Sequence, residues 1–284
     1  MHYSVMVGQC LEYLAIRPDG IYIDVTAGLG GHTGAVARQL TSGHVISCDR
    51  DAESLKLAEA NTRDAANRIR FVHSKFSDLR RALSGVDKVD GLLADLGVSR
   101  FHLTDPERGF SLMNAGPVDM RMDRAEETTA SDLVNFDSEK DLADLIFQLG
   151  EERRARRIAR AIVRARPIRD TLHLAGVIEQ AAPRTGPMHP ATRTFMALRM
   201  AINREQEELD SLLEIAPELV KPGGRIVMLT FMSLEDRKAK HAFQDLARTG
   251  RATILTKHVL RPDEEEIRDN PPSRSAKLRA VEMS

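Results

Sequence analysis

The sequence predicts an α/β chain, a doubly wound parallel sheet interrupted by a mostly helical insertion. Three observations carry this reading. Short apolar segments at residues 21–25, 44–48, 69–72 and 91–96 alternate with helix-like stretches, and strands that alternate with helices imply βαβ units and a parallel sheet. After Leu103 the alternation stops and helical patterning takes over. The first apolar segment also runs into Thr26-Ala27-Gly28-Leu29-Gly30-Gly31-His32-Thr33-Gly34, the kind of glycine-rich turn that leads from a strand into a helix where α/β folds bind nucleotides.

Residues 21–25 read as a buried strand, and residues 54–63, rich in Ala, Leu, Glu and Lys, as the helix after the second strand. Residues 104–122 are loop-like, with Pro106, Gly109, Gly116 and Pro117, and a helical region follows to about Arg166. The stretch 183–190, bearing Pro and Gly, marks a second boundary. From Ala191 one long amphipathic helix carries Phe195, Leu198, Ile202, Leu209 and Leu212 on one face, with Pro217 beyond its end. The turn Lys221-Pro222-Gly223-Gly224 sets up a strand at 225–231, and residues 252–260 and 276–282 form a closing antiparallel pair. The expected division is a discontinuous sheet domain, 1–105 with 188–284, around a helical domain at 106–187.

Composition narrows the class. A chain of 284 residues, 42% hydrophobic and 29% charged, can bury a sizeable core, which excludes disorder over most of its length. Cys10 and Cys48 are too few for a disulfide framework and read as core fillers in a reducing compartment. No apolar run approaches the roughly 18 residues of a membrane span, and the N-terminus lacks a signal-peptide layout. The expectation is a soluble, cytoplasmic protein with no membrane association. Formal net charge is -1, so nucleic-acid binding has to rest on a local patch. No Cys/His ligand cluster points to a metal.

The glycines at 28, 30 and 34 space the turn as G-x-G-x-x-x-G, whereas the dinucleotide fingerprint wants its third glycine where Thr33 stands. That weighs against NAD. The second strand ends at Asp49, about 20 residues on, where acidic side chains grip ribose hydroxyls; Asp49 could instead begin the next helix as a cap, helped by Asp51, and the two roles are compatible. A ribose-bearing cofactor without a pyrophosphate fits, and S-adenosylmethionine (SAM) is the candidate. Phe76, after the third strand, is either a core anchor or a cover for an adenine ring. Asp95 ends the fourth strand, beside the expected reactive end of the cofactor.

Several motifs together resemble the bacterial 16S ribosomal RNA cytosine-N4 methyltransferase family. They are residues 24–33, Asp95-Leu96-Gly97-Val98-Ser99, Glu107-Arg108-Gly109-Phe110-Ser111, Asp119-Met120-Arg121-Met122-Asp123, Gly150-Glu151-Glu152-Arg153, residues 189–195, Ser233-Leu234-Glu235-Asp236-Arg237 and Asn270-Pro271. They run in order from His2 almost to the C-terminus. The resemblance implies a class I SAM-dependent methyltransferase fold with a helical insertion. It implies that Gly30, Gly31 and His32 hold the methionine end of SAM, Asp49 its ribose and Phe76 its adenosine, with Asp95 lining the pocket. Three positions depart from the family pattern: His102 stands for a usual Gln at a cofactor contact, Met232 for a usual His, and Gln9 for a usual Glu.

The insertion supplies positive charge. Arg153, Arg157, Arg160 and Arg164 fall on one helical stripe, with Ile158 and Ile162 opposite. A solvated face and a phosphate-binding face both fit; arginine dominance favours phosphate. With no Trp and 4% aromatics, extensive base stacking is not expected, and Phe101 is either a stacking residue for a flipped base or a core residue. The leading expectation is a SAM-dependent methyltransferase acting on the exocyclic N4 of a cytidine, with Asp95 in the chemistry and the small ribosomal subunit or its 16S RNA as partner. The alternatives are a SAM-holding RNA-binding or assembly factor without turnover, and an NAD-dependent oxidoreductase. The sequence leaves a homodimer open.

Overall fold

The computed structural model describes residues 4–184 and 186–284; His2, where the resemblance begins, lies outside them. The chain divides into two compact units, one running up to Val98 and resuming at Glu207–Ser284, the other Ser99–Gln206.

The first unit is a sheet with helices. In chain order it has α1 (Val7–Leu14), β1 (Ile21–Asp24), α2 (Gly31–Ala37), β2 (His44–Asp49), α3 (Ala52–Asn61), β3 (Ile69–His73), α4 (Leu79–Ala82) and β4 (Val89–Asp95). The second unit supplies α5 (Arg100–Thr104), α6 (Ala130–Phe136), α7 (Glu139–Gly150), α8 (Ala155–Arg164), α9 (Thr171–Ala181) and α10 (Thr192–Ile202). The chain then re-enters the first unit through α11 (Glu205–Leu219), β5 (Val220–Thr230), α12 (Ser233–Arg248), β6 (Ala252–Ile254), α13 (Glu264–Asp269) and β7 (Lys277–Met283).

The strand order is β3-β2-β1-β4-β5-β7-β6. β1 to β5 are parallel, and β7 runs antiparallel between β5 and β6. The chain moves outward from β1 to β3 and then returns to the other side of β1, so the order reverses between β1 and β4. Ligands of such sheets lie outside the carboxyl ends of the strands at that reversal.

Period-two alternation builds both faces of the core. Ile23, Ile46, Leu92, Ile226 and Met228 meet Leu209, Leu212 and Ile215 of α11 and Phe243 of α12. Tyr22, Val45, Leu93, Val227 and Leu229 face the other way and meet Cys10 and Leu14 of α1 and Val36 and Leu40 around α2.

Several expectations shift. The long helix foreseen from Ala191 is two helices. The break is fixed by Asn203, 1% exposed, whose side chain accepts from Met122 N at 2.8 Å and donates to Met120 O at 2.7 Å. Arg204 then turns the chain with φ +48. Pro217 lies inside α11, not beyond it. β5 begins before the Pro-Gly-Gly turn and carries it as an irregularity in the register against Val89 and Gly91. Only Ala252–Ile254 of the expected 252–260 strand is formed, with Leu260 returning as an isolated bridge to Leu278. The helical unit is wider than the expected 106–187. α5 belongs to it because His102 packs on Phe110 (ring centroids 5.0 Å apart) and Arg108 covers Phe101 at 5.4 Å. α10 belongs to it because it packs on α7. α9 and α10, which lie on either side of the expected boundary, are therefore both helices of one unit.

Candidate active site

β1 ends in a buried acid. Asp24 is 1% exposed; its Oδ1 accepts from Thr26 N at 3.1 Å and its Oδ2 from Thr33 Oγ1 at 2.6 Å. Thr33 Oγ1 also lies 2.7 Å from Ser47 Oγ, so one buried hydroxyl ties α2 to β1 and β2. Thr33, at the position the dinucleotide fingerprint gives to glycine, is thus a hydrogen-bonding hub. The close approach of α2 falls to Gly34 instead, where a Cβ would stand 3.2 Å from Thr62 Cγ2. Gly30 enters α2 at φ +85, where a side chain would be strained and would meet Ala58 O at 3.0 Å.

Asp49 holds the turn from the other side. Its Oδ2 accepts from Gly28 N at 2.8 Å and its Oδ1 from Asp51 N at 2.9 Å. The cap of α3 is made by Asp51, which accepts from Glu53 N and Ser54 Oγ, both at 2.9 Å. Of the two roles open to Asp49, capping is therefore taken by its neighbour. Phe76, just beyond β3, packs against the sheet's core while remaining only partly buried, so its anchoring role and an exposed ring face coexist.

Asp95 ends β4, and its own N–H is held by Thr26 Oγ1 at 2.6 Å. Its side chain is 24% exposed and its Oδ2 stands 3.4 Å from His32 Nε2, an ion-pair separation longer than a good hydrogen bond. His32 Nε2 and Asp95 Oδ1 are buried and have no hydrogen-bond partner among the described residues. Burial works against protonation of His32, but Asp95, Asp24 and Glu266 outweigh it and hold the imidazole pKa above its ordinary value. Burial, with the charge of Asp95 added, raises Asp24, and His32, Thr33 and Thr26 only partly offset this. Glu266 of α13 also accepts from Met6 N at 2.6 Å, which ties the start of the chain to its end near this cluster.

The sheet unit therefore gathers the glycine turn, His32, Asp49, Phe76 and Asp95 along the carboxyl edge of its parallel strands. Asp24 and Thr26, which support this edge, were given no role from the sequence, where the only signal was an acid within an apolar strand, and Thr33 stood out only as the residue in place of a fingerprint glycine. Burial pushes the Cys48 thiol up to about 12 and lifts Cys10 as well, so at neutral pH neither is a thiolate nucleophile.

His102 belongs to the helical unit. It is 4% exposed, and its Nδ1 faces the Ser99 hydroxyl at 3.2 Å in the cap of α5. Phe101 is half-buried beneath Arg108. Met232 caps α12, where Glu235 accepts from the N–H groups of Phe231 and Met232 at 3.0 and 3.1 Å.

Three of the four arginines of the expected stripe, Arg157, Arg160 and Arg164, lie on α8. Ala155, Ile158, Ala159 and Ile162 are buried on the inner face of α8, while Arg153, Arg157, Arg160 and Arg164 point away from it. Arg153 sits in the turn before the helix. Arg157, Arg160 and Arg164 line a groove of ≈ 520 Å³ with Val177, Gln180 and Ala181 of α9. Of these three, Arg160 alone has an acidic partner among the described residues, Glu139 at 3.2 Å.

A model of the MraW methylase family matches residues 1–284. The Ribosomal RNA small subunit methyltransferase H of Solibacter usitatus is 62% identical, over 100% of both chains. The protein of the same name from Koribacter versatilis is 45% identical over 99% of this chain and 93% of its own. Among solved structures, one described as an rRNA-methylase from Clostridium thermocellum superposes with a TM-score of 0.50 at 11% identity, covering 100% of both chains. That likeness bears on the fold alone. No helix among the described residues is long and apolar enough to cross a membrane.

Proposed function

The chain belongs to the MraW methylase family, and on that premise we infer that it transfers a methyl group from SAM to the exocyclic N4 of a cytidine in small-subunit ribosomal RNA. The sheet unit has the class I SAM-dependent methyltransferase fold. The whole-length family match is the observation that carries the activity. We place the enzyme in the cytoplasm, where its RNA is.

The carboxyl edge fits SAM. Asp49 offers a carboxylate at the height of a ribose, held in place by backbone donors from Gly28 and Asp51. Gly30 and Gly31 bring the backbone itself to the cofactor's methionine end; a Cβ on Gly31 would run into Ser4 Oγ. His32 Nε2 and Asp95 Oδ1 are buried polar atoms that lack partners among the described residues, and such atoms are costly unless something completes them. Phe76 supplies a flat apolar face for the adenine. His102, whose Nδ1 faces the Ser99 hydroxyl, is the further cofactor contact that the family resemblance assigns.

When bound, SAM supplies an electrophilic methyl group; the protein supplies the rest. The N4 lone pair of cytosine is delocalised into the ring, so the amine is a poor nucleophile. Asp95 accepts a hydrogen bond from an N4 hydrogen, which favours a pyramidal nitrogen and aims its lone pair at the methyl. As the new bond forms the nitrogen becomes positive, and a fixed carboxylate stabilises that charge more than the neutral ground state. The methylated nitrogen is acidic and its proton can leave to water, so no strong base is required and Met232 is compatible with turnover. His32, held 3.4 Å from the other carboxylate oxygen, orients Asp95. On the helical unit, the arginine stripe contacts RNA phosphates.

The test incubates the protein with labelled SAM and undermethylated small subunits and maps modified cytidines. One N4-methylated position is expected. SAM binding without any transfer would replace the enzyme by a SAM-holding assembly factor, and NAD binding in place of SAM would remove the reading altogether.

A further inference from the structure

The chain has nine phenylalanines and no tryptophan. Among the described residues, the two large aromatics that stand in solvent are Phe136, 80% exposed, and Phe147, 59% exposed. Both lie in the helical unit, Phe136 on α6 and Phe147 on α7, the two helices that pack against α8. Phe136 is the last residue of α6, and the end of that helix is held by Arg166, which donates to Val134 O at 2.8 Å and Asp137 O at 2.6 Å. Phe136 is thereby fixed beside the end of α8. Phe147 lies on the exposed side of α7 with Lys140 and Asp144, one turn beyond the buried Ala143. α7 is joined to α8 by a short turn and packs along it. The pair Arg160–Glu139 joins the start of α7 to the middle of α8, so Phe147, two turns on, lies toward the shared turn and Arg153.

Exposing two rings forfeits the hydrophobic gain of burying them, and neither helix needs an aromatic there. A protein partner that covered the rings would also have to desolvate Arg157, Arg160 and Arg164, which is costly without matching acids. An occupant that is both polyanionic and rich in flat π-faces meets both demands. Single-stranded RNA has that chemistry, whereas a duplex keeps its base faces stacked inside.

We propose that Phe136 and Phe147 are stacking platforms for unpaired nucleobases of an RNA strand whose phosphates follow Arg157, Arg160 and Arg164. This rests on the reading of the protein as an RNA methyltransferase and adds the class of RNA it holds. Two platforms are compatible with a chain too poor in aromatics for extensive stacking. Phe101, half-buried under Arg108, is not one of them.

The test measures binding of a single-stranded oligoribonucleotide, and of the same sequence as a duplex, over a range of salt concentrations. The proteins are the wild type, Phe136→Ala/Phe147→Ala and Phe136→Tyr/Phe147→Tyr. The alanine variant should bind the single strand about 10- to 100-fold more weakly, with an unchanged salt slope and unchanged duplex binding. The tyrosine variant should match the wild type. Both side chains are exposed, so thermal unfolding should not move. Unchanged single-strand affinity in the alanine variant overturns the proposal. So does a wild-type dimer that the alanine variant dissolves while keeping its RNA affinity, because the rings are then an interface between copies. If the wild type methylates small subunits and the alanine variant does so at equal KM, this inference fails and the enzymatic reading stands. If the wild type neither binds RNA nor methylates it, both fail.

Discussion

Two charged regions of this protein obey different physics. In the sheet unit, Asp24, His32 and Asp95 are few, largely buried and held by named atoms: Thr26, Thr33 and each other. In the helical unit, Arg157, Arg160 and Arg164 line an open groove and, Arg160 apart, pair with no acid among the described residues. A charge in a low-dielectric site acts through geometry and protonation, and salt hardly reaches it. Exposed charges act by number and are screened over about 10 Å at 0.1 M salt. One region is suited to a single reacting atom, the other to a polymer of phosphates. The comparison has an experimental form: substitutions in the first should change rates, binding of SAM and pH dependence, and substitutions in the second should change salt dependence.

The largest effect is expected at Asp95. Asp95→Asn keeps the size and one acceptor oxygen but removes the charge that stabilises the developing cation. The single-turnover rate should fall about 10²- to 10³-fold, as when one preorganised electrostatic partner is removed elsewhere, with saturable SAM binding retained. Full recovery of the rate at high SAM would make Asp95 a binding residue and remove the chemical half of the comparison.

Next comes Asp49→Ala, which removes the proposed acceptor for the ribose hydroxyls and the carboxylate that holds Gly28 N. SAM binding should weaken by about 1–3 kcal/mol, read by calorimetry on the folded variant. An unchanged Kd would mean that Asp49 only braces the turn.

Much of this site was legible in the sequence because each acid ends an apolar run, and parallel strands bring such ends to one edge. Asp49 and Asp95 could be placed from that alone. Asp24 could not, since its importance lies in Thr33 and Thr26 reaching it across the turn. The strands β1, β2 and β4 were readable as continuous hydrophobic runs. The end of α10 was not, because it is set by Asn203 bonding to Met120 and Met122, about eighty positions earlier in the chain. The edges of the helical unit escaped for the same reason: helical periodicity shows that α10 is amphipathic, and only packing shows that α7 is what it packs on. Of the arginine stripe, a feature local to one helix, Arg157, Arg160 and Arg164 were readable with the buried isoleucines opposite them, whereas Arg153 falls in the turn before α8.

The stripe gives the next test. Arg157→Gln/Arg160→Gln should weaken RNA binding about 10-fold at moderate salt. It should also flatten the dependence of log affinity on log salt by ~0.7 for each single-strand phosphate that is no longer neutralised. SAM affinity should not change. A folded double variant with the wild-type salt slope would reduce the stripe to a solvated surface.

A smaller effect separates the regions by pH. His32 has its pKa raised in the folded protein, with Asp95, Asp24 and Glu266 outweighing burial. The stability it contributes is therefore complete below the ordinary histidine value of about 6.5 and is lost as pH rises through the higher folded value. Asp24, also raised, acts in the same direction in a window that opens lower, above the ordinary carboxylate value of 3.8. In urea unfolding, the stability difference between the wild type and His32→Gln should shrink from pH 6 to pH 9. A difference that is flat across that range would mean that folding leaves the imidazole pKa unshifted, and one that grows would mean that burial keeps the ring neutral.

The smallest effect concerns the one acid set into the stripe. Glu139 holds Arg160 at 3.2 Å, with the two side chains 43% and 59% exposed. An ion pair so open to solvent is worth about 0–1 kcal/mol, since water screens it and two long side chains lose freedom to form it. Glu139 also stands in the first turn of α7, where a negative charge adds ~0.3–1 kcal/mol at a favourable site. Glu139→Gln should therefore lower stability by at most about 2 kcal/mol, read by denaturant titration. Its effect on binding should have the opposite sign. Removing the acid frees Arg160 for a phosphate and takes away a repulsive charge, so RNA affinity should rise about 2- to 5-fold, and the salt slope should steepen by the equivalent of up to one phosphate. No comparable gain is available at the buried cluster, where removing either partner leaves the other unpaired and desolvated. If Glu139→Gln instead weakens RNA binding, the pair serves to position Arg160, and geometry governs the exposed region as it does the buried one.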